Sequence, residues 1–260
     1  MAEFIEIGEN GARRRIAVEA RAATERPLDP PIVWLGGFRS DMRGGKAERL
    51  DAYAARTGRA CVRFDYMGHG ESSGRFEDGT ISLWLEDALA VIARFVGRPP
   101  ILVGSSMGGW IALLVARALA GTASAPAGMV LIAPAADFTE RLMWAHFPKA
   151  IRETIEREGV YAAPSEYGEP TPITRALIED GRRHLLMDGP IVTGCPVHIL
   201  QGMQDPDVPW RHVTETMEAM ASDSVTMTLV KDGDHRLSRE EDLDRLEAAV
   251  ARMIETAGEG

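Results

Sequence analysis

The sequence predicts the α/β class: a mostly parallel, twisted sheet with helices on both faces and a small helical cap. Three observations carry the prediction. Strand-like and helix-like segments alternate at the spacing of βαβ units, which join parallel strands by right-handed crossovers. The alternation breaks once, over 137–190, and then resumes, as it would around an insertion between two strands of one sheet. The chain has 260 residues, 45% hydrophobic and 26% charged, enough for one large core of ordinary globular composition.

The elements follow in order. EFIEI near the N-terminus and RIAVEA over 15–20 both alternate, so they read as an antiparallel pair joined near residues 8–11. PIVWLGG over 31–37 is a buried strand, and 46–58 is a helix closed by Gly58. ACVRFDY over 60–66 is the next strand. The amphipathic segment 80–97 is a helix with Thr80 or Ser82 as its cap. PILVG over 100–104 is a strand, 108–121 a helix, and AGMVLIAPA over 127–135 a strand. The stretch 137–190 is richer in charge, proline and helical pattern than in strand pattern, and reads as a cap. Residues 1–136 and 191–260 then form the core. The rhythm resumes with PVHILQG over 196–202, a helix near 211–221, SVTMTLV over 224–230 and a final amphipathic helix over 240–257.

The motif GSSMG falls where a buried strand ends and a helix begins. A G-x-S-x-G pentapeptide at such a junction is a nucleophile elbow, the signature of the α/β-hydrolase fold. Gly104 and Gly108 leave room for a cramped bend at Ser106, and Gly109 lets the helix pack close to the neighbouring strand. Ser106 is therefore the expected nucleophile. Its neighbour Ser105 is out of register with the glycine frame. The Met107 N–H, at a helix N-terminus, faces developing negative charge.

A serine hydroxyl needs a base, and this fold supplies acid and then histidine after the serine. Of the six histidines, His69 and His198 fall out of order or within a strand. His146 and His184 belong to the cap, and His212 lies at a helix start. His235, in KDGDHRLS after the last strand, can reach back over the sheet. The acid is expected in QGMQDPDVPW: Asp205 is the choice and Asp207 the reserve, whereas Asp234 reads as loop solvation. Asp205 would hold one imidazole tautomer. The second oxyanion donor should come from the loop 36–45, with the Phe38 N–H best placed and Gly37 leaving room.

With these residues in hand, the chain resembles an α/β-hydrolase. More narrowly, it is similar to the abhydrolase-domain subfamily of the mitochondrial palmitoyl-protein thioesterase, also known as an acyl-glucuronide esterase. The matching stretches are SDMRGGKA (40–47), CVRFDYMGHGESSG (61–74), ILVGSSMGGW (101–110), CPVHILQGMQDPDVPW (195–210) and DHR (234–236). The expected reaction is hydrolysis of a carboxylic ester or thioester of a small acyl substrate through a Ser-His-Asp triad and an acyl-enzyme, with no metal or cofactor. The same residues leave an acyltransferase, a small aminopeptidase or a non-catalytic receptor as alternatives. In the cap, Leu142, Met143, Trp144 and Phe147 read either as an acyl-binding wall or as packing. Arg141, Arg152, Arg175, Arg182 and Arg183 read either as carboxylate contacts or as a solvated face.

Charge and composition narrow the remaining classes. A formal charge of −10 argues against a nucleic-acid partner. No apolar run is long enough to span a membrane. The opening MAEFIEIGENGARRR has no apolar stretch, so it does not read as a signal peptide, and the basic run 13–15 is too short for a transit peptide. Cys61 and Cys195, each beside a strand, read as reduced core residues. The chain begins at the domain, so the expected compartment is the cytoplasm, as for a bacterial relative, rather than the mitochondrion.

Overall fold

The computed structural model describes residues 2–8, 13–26, 29–164, 169–221 and 224–258. Eight strands form one sheet: β1 (Glu3–Ile7), β2 (Arg14–Arg21), β3 (Ile32–Leu35), β4 (Cys61–Phe64), β5 (Ile101–Ser105), β6 (Gly128–Ile132), β9 (Val197–Gly202) and β10 (Val225–Val230). Their spatial order is β1-β2-β4-β3-β5-β6-β9-β10. The pairings of β1 with β2 and of β2 with β4 are antiparallel, and every pairing from β4 to β10 is parallel. The chain is thus α/β with a mostly parallel sheet. Most of the join expected near residues 8–11 lies outside the described residues.

The central strands are apolar on both faces because helices cover both. On β3, Val33 and Leu35 enter one core and Ile32 and Trp34 the other; on β5, Leu102 faces opposite to Ile101 and Val103. The first core takes residues from α2 (Ile81–Phe95), α3 (Met107–Leu119) and α6 (Trp210–Ala219). The second takes α1 (Gly45–Thr57) and α7 (Glu240–Gly258). This is the period-two division that a doubly covered sheet requires.

Local chemistry sets the element ends. Gly58 closes α1 at φ 68, and its N–H donates to Ala54 O. Thr80 is the N-cap of α2, its hydroxyl accepting the Leu83 N–H; Ser82 instead bonds Asp180 and His184. Two strands stop short of their apolar runs. Strand β3 ends before Gly36, where the chain turns, and β6 ends before Ala133, which has φ 45.

Between β6 and β9 lies a segment of mixed structure. It holds a π-helical turn at Thr139–Met143, α4 (Lys149–Glu158), β7 (Val160–Ala163), β8 (Thr171–Thr174) and α5 (Arg175–Gly181). Strands β7 and β8 pair antiparallel as a separate sheet, which the helical reading of this stretch did not anticipate. Ile155, Ile173 and Ile178 form a small core of their own, against which Phe38 of the main body packs. Among the described residues no helix is long and apolar enough to cross a membrane.

Candidate active site

Ser106 occupies the single position between β5 and α3, at φ 55 and ψ −118. A non-glycine residue at positive φ is held there only by its surroundings. The Ser106 N–H donates to Ile132 O at 2.8 Å, and its carbonyl accepts from Gly109 N at 2.9 Å and Ala135 N at 3.1 Å. The glycines around it are steric requirements. A Cβ on Gly104 would lie 2.9 Å from Gly109 Cα, one on Gly108 would lie 2.6 Å from Gly36 O, and one on Gly109 would lie 2.8 Å from Pro134 Cα. The start of α3 is therefore pressed against the end of β3 and against the residues that follow β6.

His235 reaches the elbow from the loop between β10 and α7. Its Nε2 is 3.1 Å from Ser106 Oγ, and its Nδ1 is 2.8 Å from Asp205 Oδ2. The Asp205 side chain is fully buried. Its Oδ1 accepts the N–H groups of Asp207 at 2.9 Å and Val208 at 2.8 Å, and Gln201 Nε2 donates to its Oδ2 at 3.3 Å. A carboxylate bonded in this way accepts and does not donate. The hydrogen of His235 therefore sits on Nδ1, and the Nε2 lone pair faces the serine hydroxyl. The two loops meet because Gly202, the last residue of β9, lies under the histidine loop: a Cβ there would be 2.6 Å from Gly233 C. The Gln204 N–H donates to Gly233 O at 2.9 Å. Asp234 shapes the turn by accepting the Leu237 N–H at 2.9 Å, rather than serving solvation alone.

The loop after β3 runs beside the serine. A Cβ on Gly37 would lie 3.5 Å from Ser106 Cβ and 3.3 Å from Ser105 O. Phe38 follows, its ring packed against Phe76 at 4.9 Å, Trp84 at 5.8 Å and Phe138 at 5.6 Å between centroids. Gly37 O accepts both the N–H and the hydroxyl of Ser40, which tightens the turn. The Phe38 and Met107 N–H groups thus belong to two segments that pass close to each other at Ser106.

A strand-to-helix elbow holding a serine within hydrogen-bond reach of a carboxylate-bound histidine is the arrangement of a nucleophile elbow. The model of the alpha/beta hydrolase family matches residues 31–249. The chain is 34% identical over 228 residues to the mitochondrial palmitoyl-protein thioesterase ABHD10 of Homo sapiens, covering 87% of this chain and 73% of that one. The chain belongs to the alpha/beta hydrolase family. A putative hydrolase from Agrobacterium vitis S4 superposes with a TM-score of 0.94 at 49% identity, over 98% of each chain. The alpha/beta hydrolase domain-containing protein 10 from mouse does so at 0.86 and 30% identity, again over 98% of each. With a thioesterase among these relatives, the chain is a hydrolase of the esterase and thioesterase type.

Other sequence candidates of this alpha/beta hydrolase stand apart from the serine–histidine–aspartate chain. Ser105 stays within β5, paired with Ile132. Asp207 is exposed, and its backbone N–H donates to Asp205. The ligand atoms of Asp205, Asp207 and His235 lie within 4.8 Å of one another. Those of Asp205 and His235 are already bonded to each other, to the serine and to backbone. His212 donates to or accepts from no side chain of the site; its Nε2 lies 2.9 Å from Ala136 O, and burial lowers its pKa.

Each of the five arginines singled out in the segment between β6 and β9 meets a protein acceptor. Arg141 pairs with Asp188 and Asp137, Arg152 donates to Phe147 O and Ala145 O, and Arg175 donates to Glu156 O. Arg182 pairs with Glu140 and Arg183 with Asp180. Arg152 and Arg182 also stack on Trp144, at 5.8 and 4.9 Å from its centroid. Met143, Trp144 and Phe147 pack against the small Ile155 core. The arginines thus hold the segment together.

Sequence reading passed over three supports. Gln201 reaches Gly202 O, Val208 O and Asp205 from beneath the acid loop. The Lys46 ammonium donates to Arg236 O, beside the histidine, and burial pulls its pKa down to about 8. His69, set aside by chain order, accepts a backbone N–H from the loop beside the serine. Its only signal was the glycine-flanked MGHGESSG stretch.

Proposed function

We propose that this alpha/beta hydrolase cleaves carboxylic ester or thioester bonds of small acyl substrates through a covalent acyl-serine. The observation that carries the reading is the unbroken hydrogen-bond chain from Ser106 Oγ through the His235 imidazole to the buried Asp205 carboxylate. Ser106 Oγ attacks the substrate carbonyl carbon while His235 Nε2 takes the hydroxyl proton. The carbonyl oxygen, now an anion, lies against the N–H groups of Phe38 and Met107. Asp205 stabilises the imidazolium without itself being protonated. Collapse of the tetrahedral adduct expels the alcohol or thiol, which receives the His235 proton. Water, deprotonated by His235, attacks the acyl-serine; the acid departs and Ser106 regains its proton.

The thioester arm of this reading draws on the palmitoyl-protein thioesterase relative. The segment 137–190 serves as a cap. In support, Phe38 packs into its small core, and the Arg39 guanidinium donates to Glu169 O at 3.0 Å and Thr171 Oγ1 at 2.7 Å. A reducing compartment such as the cytoplasm suits the two cysteines, which are buried and in no disulfide.

Medium-chain p-nitrophenyl esters and the matching acyl thioesters, assayed side by side, test the reading. The enzyme is expected to release acid from at least one series, and Ser106→Ala to abolish that release by about a thousandfold or more. Full activity in Ser106→Ala would refute the assignment. Product that goes to an added alcohol in preference to water would make the enzyme an acyltransferase instead.

A further inference from the structure

His69 lies outside the proton relay and is 4% exposed. It sits in the loop after β4, and two backbone groups fix its ring. Nδ1 is 3.1 Å from Met67 O, so Nδ1 carries the hydrogen and donates. Nε2 keeps its lone pair and accepts the Arg39 N–H at 3.1 Å. The rings of Tyr66, Phe76 and Trp84 meet the imidazole edge-on, with centroids at 5.9, 5.2 and 5.4 Å. Trp84 Nε1 donates to the same Met67 O at 3.1 Å, which locks the far side of the site. A ring enclosed in this way can neither swing out nor flip without losing both bonds.

The bond it accepts lies next to the oxyanion donor. Arg39 follows Phe38 directly and has φ 58, a conformation that a side-chain-bearing residue adopts only when held. His69 holds the peptide plane between Phe38 and Arg39. The aromatic cluster of Phe76, Trp84 and Phe138 holds the Phe38 ring. With its following peptide and its side chain both fixed, Phe38 has little freedom left in the direction of its own N–H.

We infer that His69 is a positioning residue of the oxyanion hole: by accepting the Arg39 N–H it aims the Phe38 N–H at the oxygen of the tetrahedral adduct. The inference rests on the reading of Phe38 as an oxyanion donor. Such a donor acts only when it is placed for the anion rather than for the ground-state carbonyl. Displacement by about 1 Å is enough to lose up to about a hundredfold in rate. The loss should fall on the transition state and spare substrate binding.

His69→Leu, which keeps bulk but removes the acceptor, is compared with His69→Gln, whose amide oxygen reaches the position of Nε2. Hydrolysis of a medium-chain p-nitrophenyl ester gives kcat and KM. A trifluoromethyl ketone bearing the same acyl chain, which forms a tetrahedral adduct on Ser106, gives the affinity for the anion. His69→Leu is expected to lower kcat about tenfold to a hundredfold, to leave KM within about twofold, and to weaken the ketone in proportion to kcat. His69→Gln should recover most of both losses. If His69→Leu does not fold, His69→Asn replaces it: its carbonyl is too short to reach Arg39, so it should be slow where Gln is not. A kcat within about twofold of wild type in the variants without an acceptor overturns the inference. So does an equal loss in the Gln variant. A wild-type enzyme that forms no ketone adduct on Ser106 would instead overturn the parent reading.

Discussion

Individual side chains in this protein act largely by what their hydrogen bonds forbid. Asp205 cannot donate, because two backbone N–H groups and Gln201 already point at its carboxylate. Its partner His235 must therefore present a lone pair to Ser106. Asp205→Asn would place an amide N–H where an acceptor is needed and favour the wrong imidazole tautomer. It should lower kcat for ester hydrolysis by about 10⁴-fold while leaving the thermal midpoint close to wild type. An Asn variant with near-normal kcat would remove Asp205 from the relay. His69 shows the converse case. Burial, with the Arg39 cation adding to it, lowers its pKa from 6.5 to about 4. Between those values the unfolded chain binds the proton and the folded chain does not. The stability that His69 contributes is therefore fully present above pH 6.5 and is lost as pH falls through about 4, up to roughly 3 kcal/mol. Urea unfolding at pH 7 and pH 4.5 should show a smaller pH loss in His69→Leu than in wild type. Equal losses would mean that the imidazole titrates normally. In the sequence the glycine frame marked Ser106, and chain order then marked Asp205 and His235, each in the loop after a strand. It could not single out His69, whose role depends on a backbone N–H of another loop.

Secondary-structure elements place these side chains through close backbone approach. Helix α3 starts hard against β3, and Gly108 is the point of contact: a Cβ there would overlap Leu35 O and lie 2.6 Å from Gly36 O. Neither is the end of a flexible side chain, so the helix would have to move. Gly108→Ala is expected to destabilise the fold by about 3 kcal/mol or more and to abolish hydrolysis. At Gly45, the start of α1, an added methyl group would meet nothing within 4 Å, so Gly45→Ala should be neutral or stabilising by up to about 1 kcal/mol. A urea midpoint for Gly108→Ala equal to that of Gly45→Ala would refute the steric account of the elbow. The elements themselves were legible wherever periodicity was long. Helix α2 and helix α7 follow from their apolar stripes, and β3, β5 and β6 from short apolar runs. Strands β7 and β8 were not legible. VYAA and TPIT are short, hold alanine or proline, and lean on a small core that Phe38 of another loop helps to fill.

At the scale of the whole molecule, the parallel sheet gathers groups distant in the sequence along one edge. Ser106 follows β5, Asp205 follows β9, His235 follows β10 and Phe38 follows β3. All lie beyond the C-terminal ends of parallel strands, where open α/β sheets bind ligands. The segment between β6 and β9 meets that edge through Phe38 and Arg39, so one short loop touches the serine, the sheet and the insertion together. Arg39→Ala should loosen this link and raise KM for longer acyl chains more than for acetyl esters; equal KM changes across chain length would argue against the segment as a cap. The central claim is that Ser106 is made nucleophilic by His235, and covalent labelling tests it most directly. A fluorophosphonate probe followed by peptide mapping should find one adduct, on Ser106, formed at least about a thousandfold more slowly in His235→Ala. Labelling at another residue, or hydrolysis that continues after complete labelling of Ser106, would contradict the account.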